Sequence, residues 1–200
     1  MPDHKDTTLD FYEQNAHRYA TRTDKIDITD IHQLFLAELT PADRVLDLGC
    51  GPGRDAELFQ DLGYRVTCVD GSAAMCDLAR QRGLRDVRQA NFDTFTAPAD
   101  SFDAIWSMAA MLHVPWDEMP ALLNRYADML KVGGVFYMSF KALEEAGCDA
   151  DGRYFNAPTY TQLIHLALSS GRFEVAHLWM CDDASGRPVK WRNLILRRLP

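Results

Sequence analysis

Asp47 stands two residues before the first of three alternating glycines, Gly49, Gly51 and Gly53, and a second acid, Asp70, closes a separate apolar run, Val66-Thr67-Cys68-Val69. An acid at the end of a strand can take both hydroxyls of a diol with the strength of charged hydrogen bonds. Glycines after a buried strand remove Cβ atoms where a ligand must pass, and they permit positive φ. Val45-Leu46-Asp47-Leu48 followed by Gly49-Cys50-Gly51-Pro52-Gly53-Arg54-Asp55 reads as strand, glycine-rich turn and helix start. That order builds a nucleotide-type pocket beyond the carboxyl ends of the strands of an open α/β sheet. Spacing argues against two phosphate sites. Arg54 falls where a dinucleotide loop needs its last glycine, and no Lys-Ser/Thr pair follows as a phosphate loop requires.

The segment from Asp47 to Gly53 resembles the first motif of the class I S-adenosylmethionine-dependent methyltransferases, and three further motifs follow in order. Val66 to Asp70 matches the second strand with its terminal acid, and Gly71-Ser72-Ala73-Ala74-Met75 matches the helix start after it. Ser101-Phe102-Asp103-Ala104-Ile105-Trp106-Ser107 resembles the fourth strand, and Leu130-Lys131-Val132-Gly133-Gly134 the turn into the fifth. The resemblance covers roughly Val45 to Phe140 and weakens at both ends. It implies S-adenosylmethionine as cofactor and S-adenosylhomocysteine as product. That donor carries a ribose diol, an ammonium and an adenine but no phosphate. Asp70 is then placed for the diol, and Asp47 beside the turn for the ammonium. Cys50, Gly71, Ser72, Met75, Asn91, Phe92 and Ser107 complete the implied cofactor contacts. Cys50 reads as a small spacer, and Met75 equally as core filling.

On the acceptor side the resemblance implies a cover helix at the N-terminus, where Tyr12 and Tyr19 either close over the donor or pack on an amphipathic face. His113, after the fourth strand, is a candidate base or orienting group, although a histidine in an apolar run is more often a hydrogen-bonded structural residue. Lys141 ends the fifth strand and Arg153 lies in the following loop; with Arg192 as a third cation, they suggest an anionic acceptor or else surface ion pairs with Glu144, Glu145 or Asp149. Gly152-Arg153-Tyr154-Phe155 and Trp191-Arg192-Asn193 also resemble small bacterial methyltransferases of the tellurite-resistance type, implying a small acceptor such as a thiol or metalloid oxyanion. Methyl transfer is an in-line displacement, so holding the two partners in line can supply ~7–11 kcal/mol. A base is needed only where the acceptor must lose a proton.

The elements that must position these groups alternate along the chain. Helices are expected over Asp6 to Arg22, with Leu9, Tyr12, Ala16 and Tyr19 on one face, and over Thr29 to Leu39, capped by Thr29 or Asp30. Strands over Arg44 to Leu48, Arg65 to Val69, Asp86 to Gln89, Phe102 to Ser107 and Val135 to Phe140 are separated by helices from Gly53 to Leu62, Ser72 to Arg82 and Trp116 to Leu130. A helix over Pro158 to Ser170 precedes a hairpin of Phe173 to Met180 and Lys190 to Leu199, the latter reading as an edge strand. The expected fold is a Rossmann-like α/β/α sandwich with a seven-stranded, mostly parallel sheet and an antiparallel C-terminal hairpin strand. The whole of 1–200 reads as one domain, divided into an N-terminal cover (1–40), a cofactor core (41–141) and a substrate-side segment (142–200).

Composition narrows the partners. The chain has 200 residues, 47% hydrophobic and 25% charged, with a net charge of −8, as suits a soluble globular domain. The charge weighs against large free RNA or DNA, which needs a basic stripe. A patch for a tRNA loop stays open, as does a protein side chain, although no Asn/Asp-Pro-Pro-Tyr/Phe motif is present. The segment Met1-Pro2-Asp3-His4-Lys5-Asp6 has no apolar targeting core, and no run is long enough for a bilayer. Five cysteines without a C-x-x-C pair argue for a reducing cytoplasm and against a metal site. The partner expected is a small molecule, and the protein a monomer or homodimer. Two other classes compete. One is a cofactor-binding protein without turnover. The other is an NAD-type oxidoreductase using Tyr137 and Lys141, but that pair lies on a strand, ~13 Å apart.

Overall fold

The computed structural model describes residues 4–200, with side chains from Asp6 onward; the expectation for the segment Met1 to Lys5 lies outside those described side chains. Among the described residues no helix is long and apolar enough to cross a membrane. All five cysteines are free thiols.

Seven strands form one sheet. β1 (Arg44–Leu48), β2 (Arg65–Asp70), β3 (Val87–Gln89), β4 (Phe102–Ser107) and β5 (Leu130–Lys141) run parallel, and β8 (Phe173–Asp182) and β9 (Lys190–Arg198) complete it. The order is β3-β2-β1-β4-β5-β9-β8, with β9 antiparallel to both neighbours. Strand order therefore reverses between β1 and β4, and ligands bind at such a switch point, outside the carboxyl ends of the strands. β9 is consequently an inner strand, contrary to the edge reading, and β8 forms the edge. Leu194 and Leu196 on one face of β9 and Ile195 on the other are buried in the two cores, and the arginines stand toward the ends of the strand.

The helices are α1 (His4–Thr23), α2 (Thr29–Leu36), α3 (Arg54–Asp61), α4 (Ala73–Gln81), α5 (Met119–Met129) and α6 (Tyr160–Ser169). Neither expected cap of α2 acts: Asp27 Oδ1 accepts from the Thr29 N–H instead, and the chain leaves the helix before Leu39 through tight i→i−3 turns. β5 starts earlier than Val135 because Leu130 pairs with Phe102 across the glycine turn. A 3-10 turn, Trp116–Glu118, precedes α5. Two elements without periodic signal were not expected: the 3-10 turn Met111–His113, and a separate ribbon of β6 (Gly147–Cys148) and β7 (Tyr154–Phe155).

Each sheet face carries a core. One is built on Leu46, Ile105, Phe136 and Leu194 against α5 and α6. The other is aromatic, with Trp106 stacked on Tyr137 at 4.2 Å between centroids and Phe35 of α2 at 4.9 Å from Trp106. Trp106 Nε1 donates to Asp55 Oδ2 at 3.0 Å, so the buried indole N–H is satisfied. These contacts fix α2 and α3 beside β1 and hold the glycine turn in place.

Candidate functional site

A cleft of about 260 Å³ opens at the carboxyl ends of β1, β2, β4 and β5, roofed by α1. Its floor is the glycine turn. Gly49 has φ +78°, and a Cβ there would stand 2.3 Å from Ala110 Cβ, so only glycine lets the turn lie under the loop after β4. Asp70 organises the turn: its Oδ2 accepts from Gly51 N–H at 2.8 Å and its Oδ1 from Ser72 N–H at 2.9 Å. Asp70 lines the cleft, and each carboxylate oxygen can accept more than one hydrogen bond. Burial raises the Asp70 carboxyl above its ordinary pKa, against those two hydrogen bonds.

Asp47 lies deeper, 2% exposed, and its Oδ2 is buried with no hydrogen-bond partner. Burial, then the charges of Asp55 and Asp70, push this carboxyl well above the usual range. An unpaired buried carboxylate oxygen is costly in the free protein, so its presence on a cleft wall fits a cationic or N–H donor arriving from the cleft. Two carboxylates with spare accepting capacity suit a ligand bearing a diol and an ammonium. Gly51, Cys50, Gly71, Met75, Asn91 and Phe92 line the same cleft. The Cys50 thiol is held neutral by a hydrogen bond with Cys68 and by burial, which keeps it a spacer.

The opposite wall comes from α1, the Met111–His113 turn, β7 and the β8–β9 hairpin. Tyr12 and Tyr19 both face the cleft and meet edge to face at 5.2 Å, while Arg22 lies over the Tyr19 ring. Tyr12 Oη lies 2.8 Å from His113 Nε2, and His113 Nδ1 faces the Tyr154 carbonyl. A carbonyl only accepts, so Nδ1 carries the proton and Nε2 accepts from the phenol. Burial, then Arg153 and Lys141, push His113 down to about 4, with the Tyr154 bond opposing. The histidine is thus a neutral, hydrogen-bonded group, and both its nitrogens are engaged inside the protein.

Lys141 and Arg153 are brought together over Phe155, at 3.6 Å and 5.3 Å from the ring centroid. Arg153 is not a free cation: Nη2 pairs with Asp149 at 2.6 Å, and the guanidinium lies over Phe11 of α1. Burial, then Arg153 and Arg187, lower the Lys141 ammonium to about 8.

Four expected residues stand elsewhere. Gly53 does not line the cleft; it has φ +85°, and a Cβ would meet Leu84 Cδ1 at 2.4 Å, so it serves close packing of α3 on α4. Ser72 caps α4 through Met75 N–H and donates to Glu13 at 2.6 Å, tying α4 to α1. Ser107 is fully buried and donates to the Leu48 carbonyl at 2.9 Å, joining β4 to β1. Arg192 stands over Tyr160 of α6, outside the cleft lining. Conversely, Asp55, Arg54, Arg187 and Trp191 line the cleft without having been assigned to it. Asp55 follows the glycine turn directly, and a carboxylate buried in a helix's first turn is the signal that marks it.

Residues 45–134 match the family described as methyltransferase domain. A ubiquinone biosynthesis O-methyltransferase of Xanthomonas campestris pv. campestris (strain B100) is 33% identical over 168 residues, covering 76% of this chain and 70% of that protein. One of the same description from Xanthomonas axonopodis pv. citri is 36% identical over 110 residues, 52% of this chain and 45% of that protein. Among solved structures, the 1,6-didemethyltoxoflavin-N1-methyltransferase of Burkholderia thailandensis, with bound 1,6-didemethyltoxoflavin and S-adenosylhomocysteine, superposes with a TM-score of 0.80. That alignment is 20% identical over 98% of this chain and 89% of that one, a likeness of fold.

Proposed function

Because the chain belongs to the methyltransferase-domain family of S-adenosylmethionine-dependent enzymes, we propose that it methylates a small-molecule acceptor carrying an anionic group. The observation that carries the donor half is the unpartnered Asp47 Oδ2 on the cleft wall beside Asp70. In this reading Asp70 holds the ribose diol, Asp47 attracts the ammonium, Met75 and Phe92 border the adenine, and the glycine turn passes beneath the amino-acid tail. The bound donor supplies an already activated methyl group on a positively charged sulfur.

The chain's own work is then orientation and exclusion of water. Tyr12 and Tyr19 on α1 cover the cleft, and their rings replace solvent beside the reacting centre. In-line placement of this kind is worth ~7–11 kcal/mol in favourable systems. Where the acceptor loses a proton, Tyr12 Oη has lone pairs to take it as its own proton passes to His113 Nε2, the accepting atom of the neutral tautomer. Lys141 and Arg153 set a positive wall opposite the acids, and this wall favours an anionic acceptor in a protein of net charge −8. The same net charge favours a small molecule over nucleic acid.

Calorimetric titration with S-adenosylmethionine, S-adenosylhomocysteine and NAD tests the reading directly. Micromolar binding of the first two and none of the third is expected. Binding of NAD alone sinks it.

A further inference from the structure

Among the described residues five cations line the cleft, and three of its four guanidiniums already own a carboxylate, while the fourth, Arg22, lies over the Tyr19 ring at 5.2 Å. Arg153 pairs with Asp149 at 2.6 Å, Arg187 with Asp183 at 2.5 Å, and Arg54 with Asp55 at 2.7 Å. Lys141 makes no ion pair among the described residues. It ends β5 on the cleft side, half-buried, with its ammonium over the face of Phe155 at 3.6 Å from the centroid. Positive charge surrounds it: Arg22 comes from α1, Arg153 from the β6–β7 turn and Arg187 from the β8–β9 hairpin. Asp149 and Asp183 face the same region but are held by their own arginines.

A cation–π contact offsets part of the desolvation of an ammonium but leaves its charge uncompensated. Holding that charge between two guanidiniums, in the described part of the chain, costs stability that no internal anion returns. The surroundings also define a shape. Phe155 lies directly under the ammonium, Trp191 is the cross-strand partner of Lys141, and both line the same cleft as Leu112, so rings and apolar surface are at hand beside the charge.

We infer that Lys141 is the anion anchor of the acceptor subsite, and that the acceptor is a carboxylic acid on an apolar, ring-sized body packed against Phe155, Leu112 and Trp191. The inference rests on the methyl-transfer reading and sharpens it, since it separates Lys141 from Arg153, whose guanidinium serves the fold. A single compact ammonium set over the Phe155 ring matches one negative charge.

Benzoate and its neutral counterpart benzamide probe the site. Each is titrated by calorimetry into protein saturated with S-adenosylhomocysteine, using wild type, Lys141→Met and Lys141→Arg. Wild type is expected to bind benzoate at least about tenfold more tightly than benzamide, a difference of about 1.4 kcal/mol. Lys141→Met abolishes the preference and Lys141→Arg retains it. Benzoate affinity also falls as pH rises through about 8, where the ammonium loses its proton. Absence of benzoate binding, equal binding of the two probes, or a preference that survives in Lys141→Met overturns the anchor. Failure of wild type to bind S-adenosylhomocysteine at all is a separate result, and it removes the underlying methyl-transfer reading as well.

Discussion

Tyr12 and His113, 101 residues apart in sequence, meet at 2.8 Å between phenol oxygen and imidazole Nε2. The contact joins α1 to the turn after β4, and the Tyr154 carbonyl on the other ring nitrogen extends the chain of bonds to β7. Tyr154 N–H in turn donates to Thr8 of α1 at 3.0 Å, closing a loop of hydrogen bonds around the mouth of the cleft. The cover helix is therefore fastened to the acceptor wall by groups that also face the cavity.

That fastening fixes the histidine's proton. In the folded protein His113 is expected to stay neutral, protonated on Nδ1, until the pH falls to about 4, well below its ordinary 6.5. Histidine ring ¹⁵N spectra check this, with a neutral, Nδ1-protonated signal at about pH 5 that disappears in His113→Gln. The sign for stability follows from linkage. Between 6.5 and about 4 the unfolded chain binds a proton that the native state does not, so stability falls as pH drops through that window. His113→Gln should remove that part of the acid slope. An unchanged slope would mean that the ring is solvated and titrates normally.

Asp70 does two jobs, so its substitutions should separate them. Asp70→Ala removes the diol acceptor and leaves Gly51 and Ser72 N–H groups without their partner. Loss of a charged hydrogen-bond pair predicts at least about a tenfold drop in S-adenosylmethionine affinity. Asp70→Asn keeps one oxygen acceptor and should lose less. Calorimetry on both variants decides, and undiminished affinity in Asp70→Ala would put the ribose elsewhere.

Gly53 lies in the glycine motif but acts through packing. A Cβ there would press on Leu84 and stand 3.2 Å from the Ala79 Cα, in a backbone conformation of φ +85°. Gly53→Ala is expected to destabilise the fold by about 1–3 kcal/mol, read as a lower urea midpoint. The folded fraction should still bind S-adenosylhomocysteine. Gly49→Ala, whose Cβ would collide with Ala110 on the cleft floor, should lose binding together with stability.

The contrast between these glycines marks where the sequence stops being legible. Apolar runs closed by turns placed β1 and β4 at their observed bounds, because a parallel strand buried on both faces has a composition to match. The alternation of those strands with helices carried the fold class. Ser72 and Ser107 sit in the right motifs, yet their hydroxyls serve a helix cap and a strand-to-strand bond, and motif position alone does not reveal where a side chain turns. The β6–β7 ribbon pairs only two residues on each side and has no period to detect. Its turn is closed by Asp149 and Arg153, a pairing that engages the Arg153 guanidinium and leaves Lys141 without an ion pair among the described residues. That distinction is tertiary. Asp55 is similar, for its partners His32 and Trp106 come from α2 and β4.

Asp47 and Asp55 line the same cleft and titrate in opposite directions. Burial alone would raise Asp55, but hydrogen bonds and charge from His32 and Arg54 hold it well below the ordinary carboxylate range. Its contribution to stability is present above about pH 3.8 and is lost as the pH falls below that value. Around Asp47, burial and the charges of Asp55 and Asp70 outweigh Arg54 and the Ala56 N–H, and the carboxyl is raised, so its ionisation works against the free fold. Asp47→Asn should therefore stabilise the unliganded protein, by an amount on the order of 1 kcal/mol, while weakening S-adenosylmethionine binding by about tenfold or more. Asp55→Asn should do the reverse to stability, because it leaves an arginine and an indole N–H short of their anion. Thermal melts with and without S-adenosylhomocysteine read both effects at once. If Asp47→Asn lowers the melting temperature of the free protein, then Asp47 is satisfied by an internal donor and is not held ready for a ligand.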